Sequence, residues 1–303
     1  MSGDEASVRA IDSLSAIVPS LARTTPSTLL TNPEIYSQIS TLLRNPNSGA
    51  GDNNLCRWLY DTFQSGVADL QLLVLRFLPV IGGVYLSRVA DRKPQAGFEA
   101  VLLALYAHET TSRGGQPLSV TIPDLTSPSI YHDAKGAPNK SGTPEVAVVS
   151  PALEPHGTVR STRRARIVGV ALELFYAKIW QMPVASKIEF CKFCRTWAGQ
   201  DGEMYRKTEG GEKEVEGRVP LPWELLQPVI RILGHCLLGP NNRDVELFDA
   251  ASEACRCLFA RTMHDVNPKA ILPIRSLMTL SNNLMDKTQL DPTELPFTDV
   301  ISL

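Results

Sequence analysis

The chain has 303 residues, of which 43% are hydrophobic and 20% are charged, and its formal net charge is −2. This composition is typical of a globular protein and excludes disorder over most of the length, since disorder needs low hydrophobicity or a large net charge. The absence of a basic excess argues against a nucleic-acid-binding protein, and the length allows one large domain or two smaller ones.

The first third of the chain predicts several helices. Apolar residues recur every three or four positions from Val8 to Val18 and from Ile35 to Leu43. Asn32 is the expected N-cap of the second helix, with Pro33 as its first residue. Either Asn53 or Asn54 caps the next helix, and a further helix covers Phe98 to Tyr106.

The most hydrophobic stretch runs from Leu70 to Leu86, and it is short for a bilayer. Arg76 lies near its middle, where a charge opposes membrane insertion, and Pro79 interrupts it further. We therefore expect a buried pair of helices rather than a membrane span.

The centre of the chain is rich in proline. Of the 22 prolines, seven lie between Pro117 and Pro155. Each one removes a backbone donor and disfavours helix at the preceding residue. Residues 112–158 are therefore expected to form a Pro-rich arm, either ordered and extended or flexible. Its β-branched residues favour short strands at Leu118 to Ile122 and Val146 to Val149.

Helical periodicity returns in the second half, and the expected fold class is all-α, an elongated array of packed helices interrupted by the Pro-rich arm. A single helical domain is predicted over residues 1–285, with an acidic loop at 199–217 and a polar tail at 286–303. The helices of this half are expected at Ile167 to Trp180, Val184 to Trp197, Trp223 to Leu238, Val245 to His264 and Pro268 to Met285.

The cysteines allow two interpretations. Cys191 and Cys194 have the spacing of a zinc or redox pair, which Cys255, Cys257 or His264 could complete. Both cysteine pairs also lie inside helical patterns, where a thiol serves as a small apolar core residue. We favour the core role and expect neither a metal, a cofactor nor an enzymatic activity. Asp4 and Glu5 occur where a secretory signal would be basic, so reduced thiols and a cytoplasmic location are expected.

Four arginines, Arg160, Arg163, Arg164 and Arg166, lie just before a long apolar helix. Positive charge is unfavourable at a helix N-terminus unless an anion or an acidic surface compensates it. The cluster therefore indicates either a patch for acidic lipids or an acidic partner, or a solvated helix start paired with the acidic loop. The second interpretation is favoured.

Apolar and aromatic residues in the Pro-rich arm form another candidate site. An extended, proline-stiffened segment can dock into a partner groove at low entropic cost. The same residues could equally hold the arm against its own helices. The candidates are Ile122, Pro123, Leu125, Tyr131 and His132.

The segment VTIPDLTSPSIYHD (Val120 to Asp133) resembles a characteristic stretch of the hyccin family. The similarity extends over roughly residues 20–285. It includes LQLLVLRFLPVIGGVYL, GFEAVLLALY, FYAKIWQMPVASKIEFCKFCRTW and RVPLPWELLQPVIRILGHCLLG, in that order along the chain.

The resemblance implies an all-α, non-catalytic subunit of the plasma-membrane phosphatidylinositol 4-kinase type III alpha complex. It implies binding to a tetratricopeptide-repeat scaffold subunit, which also engages the kinase and a lipid-anchored membrane adaptor. A subunit of this kind would be cytoplasmic and peripheral at the plasma membrane through its complex. Animal hyccins carry a long C-terminal extension that this sequence lacks, so functions of that extension are not expected here.

Overall fold

Short polar side chains begin several of the helices, as the sequence predicted. Asn32 Oδ1 accepts hydrogen bonds from the backbone N–H groups of Glu34 at 2.8 Å and Ile35 at 3.3 Å. Asn53 rather than Asn54 caps the next helix, through a 3.0 Å bond from the N–H of Cys56. These bonds satisfy N–H groups that have no partner within their own helix, and so they fix where each helix starts.

The computed structural model describes residues 3–18, 25–89, 93, 95–122, 145–155, 159–160, 162–199, 218–240 and 244–285. In the first half of that part of the chain the helices are α1 (Gly3–Ile17), α2 (Pro26–Thr31), α3 (Pro33–Arg44), α4 (Asn54–Gln64), α5 (Ala68–Arg76), α6 (Leu78–Ser87) and α7 (Ala96–Arg113). In the second half they are α8 (Arg164–Ala177), α9 (Val184–Ala198), α10 (Trp223–Leu238), α11 (Val245–His264) and α12 (Pro268–Met285).

The predicted all-α class is confirmed, and α10, α11 and α12 have the expected bounds. Several other boundaries differ from the predictions, and α9 ends at Ala198, one residue later than expected. α8 starts at Arg164 and ends at Ala177, and Ile179–Gln181 forms a separate 3₁₀ turn that includes Trp180. α7 continues to Arg113, so the helix extends two residues into the region assigned to the Pro-rich arm. The elongated outline of the array and the single-domain division stay predictions.

The helices pack in two rows. One row runs α1, α4, α7, α8, α10 and α12, each helix contacting the next, and the other runs α3, α6, α9 and α11. Contacts of α6 with α8 and of α10 and α12 with α11 join the rows. The apolar faces of both rows meet in one buried cluster.

The apolar stretch Leu70 to Leu86 forms α5 and α6, and nearly all of its side chains are buried in the core. This confirms the expected buried helix pair. Among the described residues no single helix is long and apolar enough to cross a membrane. The pair α5 and α6, bent by 42°, meets those criteria by length and composition alone.

The two predicted extended pieces pair with each other as an antiparallel hairpin of β1 (Leu118–Ile122) and β2 (Glu145–Ser150). Ser119 lies opposite Val148 and Thr121 opposite Val146, while Val120 lies opposite Ala147 on the other face. A one-residue irregularity follows Leu118. These parts of the Pro-rich arm are therefore ordered and extended.

Candidate functional site

The four arginines of the cluster have different surroundings. Arg166 is buried and donates hydrogen bonds to the carbonyl oxygens of Pro151 at 3.3 Å and Ala152 at 3.0 Å. Arg163 forms an ion pair with Glu154. Arg166 and Arg163 thus hold the segment that follows β2 against the start of α8.

The other two arginines of the cluster are directed elsewhere. Arg164 Nη2 lies 3.8 Å from Glu99 Oε1 on α7, a charge contact without a hydrogen bond between these atoms. Arg160 is exposed and its carbonyl oxygen accepts a 2.9 Å bond from the N–H of Arg163. Residues 200–217 of the predicted acidic loop lie outside the described residues, and the acidic partners that the structure supplies are Glu154 and Glu99. Binding of acidic lipid by Arg160, Arg163, Arg164 and Arg166 stays a prediction.

A buried ion-pair network connects the hairpin to the helices. Arg113 Nη2 lies 2.6 Å from Glu173 Oε2 on α8, Arg113 Nη1 donates to Ser150 Oγ at 3.0 Å, and Arg113 also pairs with Glu109. Burial lowers the pKa of Arg113, but its hydrogen bonds with Glu173 and Glu109 outweigh that effect and leave the pKa raised. The sequence analysis missed this network because Ser150 and Glu173 lie 37 and 60 residues from Arg113 in the chain.

Hydrogen bonds from backbone N–H groups fix the segment that follows β2. The N–H of Leu153 donates to the Gly115 carbonyl at 2.9 Å, and Leu153 is buried in the core. The N–H of Glu154 donates to the Tyr106 hydroxyl at 3.1 Å. The hairpin therefore starts and ends on the helical body, next to α7.

The hairpin itself carries exposed apolar side chains. Val120 is 51% exposed, Val146 57% and Val148 59%, whereas Ser150 at the end of β2 is buried. Ile122, the last residue of β1, is half-buried. The other predicted partner contacts, Pro123, Leu125, Tyr131 and His132, lie outside the described residues. The exposed valines form an apolar surface. The sequence analysis predicted the two strands but did not single out these valines.

The cysteines belong to the core. The thiols of Cys191 on α9 and Cys236 on α10 share a hydrogen bond, and Cys194 and Cys255 lie in the same buried cluster. Burial raises the pKa of Cys194 well above its ordinary value and that of Cys255 to about 12. A protonated, inaccessible thiol is neither a nucleophile nor a metal ligand.

The zinc interpretation gains no support from the described part of the chain. No three His, Cys, Asp or Glu side chains there are grouped so that they could hold a metal ion. His264, one of the residues suggested to complete the site, is exposed, with Nδ1 3.1 Å from Asp265 Oδ1. The four thiols are buried in the core and pack there as small apolar side chains.

Fold and site together define an all-α protein whose buried arginines bind backbone carbonyls and carboxylates and whose thiols pack in the core. A family model for hyccin matches residues 21–298, and the chain belongs to the hyccin family. Membership of this family indicates a non-catalytic adaptor that works within a complex.

Proposed function

We propose that this chain is a scaffold subunit that binds a tetratricopeptide-repeat partner. In that complex it would help to stabilise phosphatidylinositol 4-kinase type III alpha and hold it at the plasma membrane, supporting the production of phosphatidylinositol 4-phosphate. The match of the hyccin family model to residues 21–298 carries the proposal. A lipid-anchored adaptor would recruit the complex, so the subunit itself would be cytoplasmic and peripheral at the membrane.

The hairpin of β1 and β2 is the surface that we assign to the repeat partner. An isolated two-stranded ribbon is marginally stable in water, and burial of an apolar face normally stabilises such a ribbon. Val146 and Val148 lie on one face, opposite Thr121 and Ser119. Apolar residues with little conformational freedom, fixed on a rigid body, favour binding because little entropy is lost on association.

Co-purification tests the adaptor role. The chain, tagged at native expression level, is expected to recover a tetratricopeptide-repeat scaffold and the kinase in stoichiometric amounts. Deleting the gene should lower the abundance of the kinase complex and its product lipid at the plasma membrane. Recovery of neither partner would contradict the proposed function.

The hairpin assignment has its own test. Val146→Lys combined with Val148→Lys places two charges on the exposed face, and recovery of the partner should fall by at least about tenfold, since desolvating each charge opposes binding. Val8→Lys on α1 is the matched control, because Val8 is 58% exposed and lies on another element. Loss of the partner in both variants, or in neither, would reject the hairpin as the contact surface while leaving the adaptor role to the co-purification test.

A further inference from the structure

An exposed tryptophan marks the turn between α8 and α9. Trp180 is the middle residue of the 3₁₀ turn Ile179–Gln181, and it is 70% exposed. Tryptophan is highly buried on average in folded proteins, and it is enriched among the residues that dominate the binding energy of protein interfaces. The indole of Trp180 therefore contributes little to the core of this chain and is accessible to a partner.

The turn holds Trp180 in a fixed position. Its neighbours Ile179 and Met182 are each only 4% exposed and anchor the turn in the core. The backbone N–H of Gln181 donates to the carbonyl oxygen of Lys178 at 2.9 Å. The N–H of Met182 donates to the carbonyl oxygen of Ile179 at 3.2 Å. Because the backbone is fixed and an indole has only two side-chain torsions, little conformational entropy is lost when Trp180 binds a partner.

Trp180 lies at the end of the helical body from which the hairpin emerges. Glu99 near the start of α7 faces Arg164 at the start of α8. Arg113 at the end of α7 pairs with Glu173 further along α8, so the two helices run in the same direction. Trp180 follows Glu173 by seven residues, about two helical turns. The end of α7, where the chain continues into β1, and the end of α8, where it continues into the turn, are therefore at the same end of the body.

Arg113 connects the hairpin to the helix that leads to Trp180. Its guanidinium lies 2.6 Å from Glu173 on α8 and donates to Ser150 at the end of β2 at 3.0 Å. One side chain thus spans the distance between the base of the hairpin and α8. The exposed hairpin valines and Trp180 therefore belong to one end of the molecule, where a single partner can contact both.

Basic side chains accompany the tryptophan. Lys178, two residues before Trp180, is exposed. The guanidinium of Arg231 on α10 lies 4.2 Å from the centroid of the Tyr176 ring in the last turn of α8, and this cation–π contact holds a second positive charge beside the turn. Charges at the rim of an interface are complemented by opposite charges on the partner. The surface around Trp180 therefore fits an apolar pocket whose rim carries carboxylates.

We propose that Trp180 is an anchor of the interface with the tetratricopeptide-repeat subunit, with its indole in an apolar pocket rimmed by acidic residues of that subunit. This role rests on the proposed function, since the partner is the one named there. Stacked helical repeats form extended concave surfaces, and a protruding side chain on a rigid turn suits such a surface. The hairpin and Trp180 are then two parts of one contact surface.

Recovery of the repeat subunit by the tagged full chain tests the anchor. Trp180→Ala should recover about tenfold less than wild type, or lower still, because truncation removes a large apolar surface from the contact. Trp180→Phe retains part of that surface and should recover an intermediate amount. Leu272→Ala on α12 is the matched control, because Leu272 is also 70% exposed, and its recovery should equal that of wild type. Unchanged circular dichroism verifies that each variant is folded.

A charge reversal tests the acidic rim independently of the indole. Lys178→Glu should weaken recovery several-fold and make it less sensitive to added salt, since an attractive charge contact becomes repulsive. Lys269→Glu on α12 is its control, because Lys269 is an exposed lysine on another element. Equal recovery and equal salt dependence in the two lysine variants would contradict an acidic rim.

The outcomes separate the anchor from the adaptor role. If wild type recovers no repeat subunit, the proposed function itself is rejected. If wild type recovers the subunit and a folded Trp180→Ala recovers as much as Leu272→Ala, the anchor alone is overturned. Sedimentation of the purified chain, by itself and with phosphatidylcholine vesicles, examines other occupants of this surface. Self-association or vesicle binding that is lost in Trp180→Ala, while recovery of the subunit is unchanged, would assign the indole to that occupant and overturn the proposal.

Discussion

Arg76 Nη2 donates a 2.8 Å hydrogen bond to the carbonyl oxygen of Asn32, the residue at which α2 ends and α3 begins. The same guanidinium bonds the carbonyl of Leu29 and lies 4.6 Å from the centroid of the Tyr36 ring. Its side chain is fully buried, and burial lowers its pKa to about 10. One charged residue of the apolar stretch therefore joins three helices by bonding the carbonyl groups at a helix end.

Arg76→Met should lower the free energy of unfolding by about 2–5 kcal/mol, because two buried carbonyls lose their charged donor. Arg76→Lys retains the charge but offers a less suitable geometry for two acceptors, and so it should fall between wild type and Arg76→Met. Urea unfolding followed by circular dichroism measures both variants. If Arg76→Met is as stable as wild type, the packing of the methionine side chain compensates for the lost hydrogen bonds of the arginine.

Two glycines inside helices should respond to alanine in opposite ways. A Cβ at Gly169 on α8 would lie 2.4 Å from the carbonyl oxygen of Glu224, so Gly169→Ala should force α8 and α10 apart and destabilise by about 1–3 kcal/mol. At Gly234 on α10 the nearest atom, on Leu277, would be 3.4 Å away. Gly234→Ala should therefore be neutral or stabilise by up to about 1 kcal/mol through helix propensity. Thermal unfolding of the two variants distinguishes close backbone packing from helix propensity. Equal shifts in Tm for Gly169→Ala and Gly234→Ala would refute the close approach of α8 to α10 at Gly169.

The network around Arg113 should behave as a buried ion pair. Arg113→Met leaves Glu109 and Glu173 without their cation and should cost about 3–5 kcal/mol. Arg195→Gln is the surface control, since Arg195 lies 2.7 Å from Glu253 with both side chains more than a third exposed, and it should cost no more than about 1 kcal/mol. Hydrogen exchange in β2 should rise in Arg113→Met, because Ser150 loses its bond. Unchanged hydrogen exchange in β2 would show that the network around Arg113 does not stabilise the hairpin.

Alkaline pH should destabilise the protein through its buried thiols. Burial raises the pKa of Cys56 from 9.0 to about 11 and that of Cys255 from 9.0 to about 12. Between pH 9 and 10 these thiols ionise in the unfolded chain but stay protonated in the folded protein. Stability is therefore present below pH 9 and falls as the pH rises, by about 1 kcal/mol per thiol over that interval.

Urea unfolding at pH 8, 9 and 10 measures this loss. Cys255→Ala removes one titrating thiol, so its stability should fall less steeply with pH than that of wild type, whatever its absolute stability. Identical pH slopes in the two proteins would show that the Cys255 thiol is not protected by folding.

The sequence by itself determined the all-α class, the positions of most helices and the place of the two strands. These are local properties: apolar periodicity, the caps at Asn32 and Asn53, and the exclusion of helix by closely spaced prolines act within a few residues. The same local signals identified the buried pair α5 and α6 and the packing role of Cys191 and Cys194. The order of the helices and the family resemblance could therefore be obtained before any coordinates.

Only the tertiary structure decided which charges meet. Arg160, Arg163, Arg164 and Arg166 are neighbours in the sequence, yet helix α8 and its turn direct them to the solvent, to Glu154, to Glu99 and to the carbonyls of residues 151 and 152. Arg113 meets Glu173 because α7 and α8 pack together, and no short-range pattern encodes that contact. Charge contacts depend on three-dimensional distance, whereas helix formation depends on spacing along the chain, and this is why the two kinds of feature differed in how well the sequence predicted them.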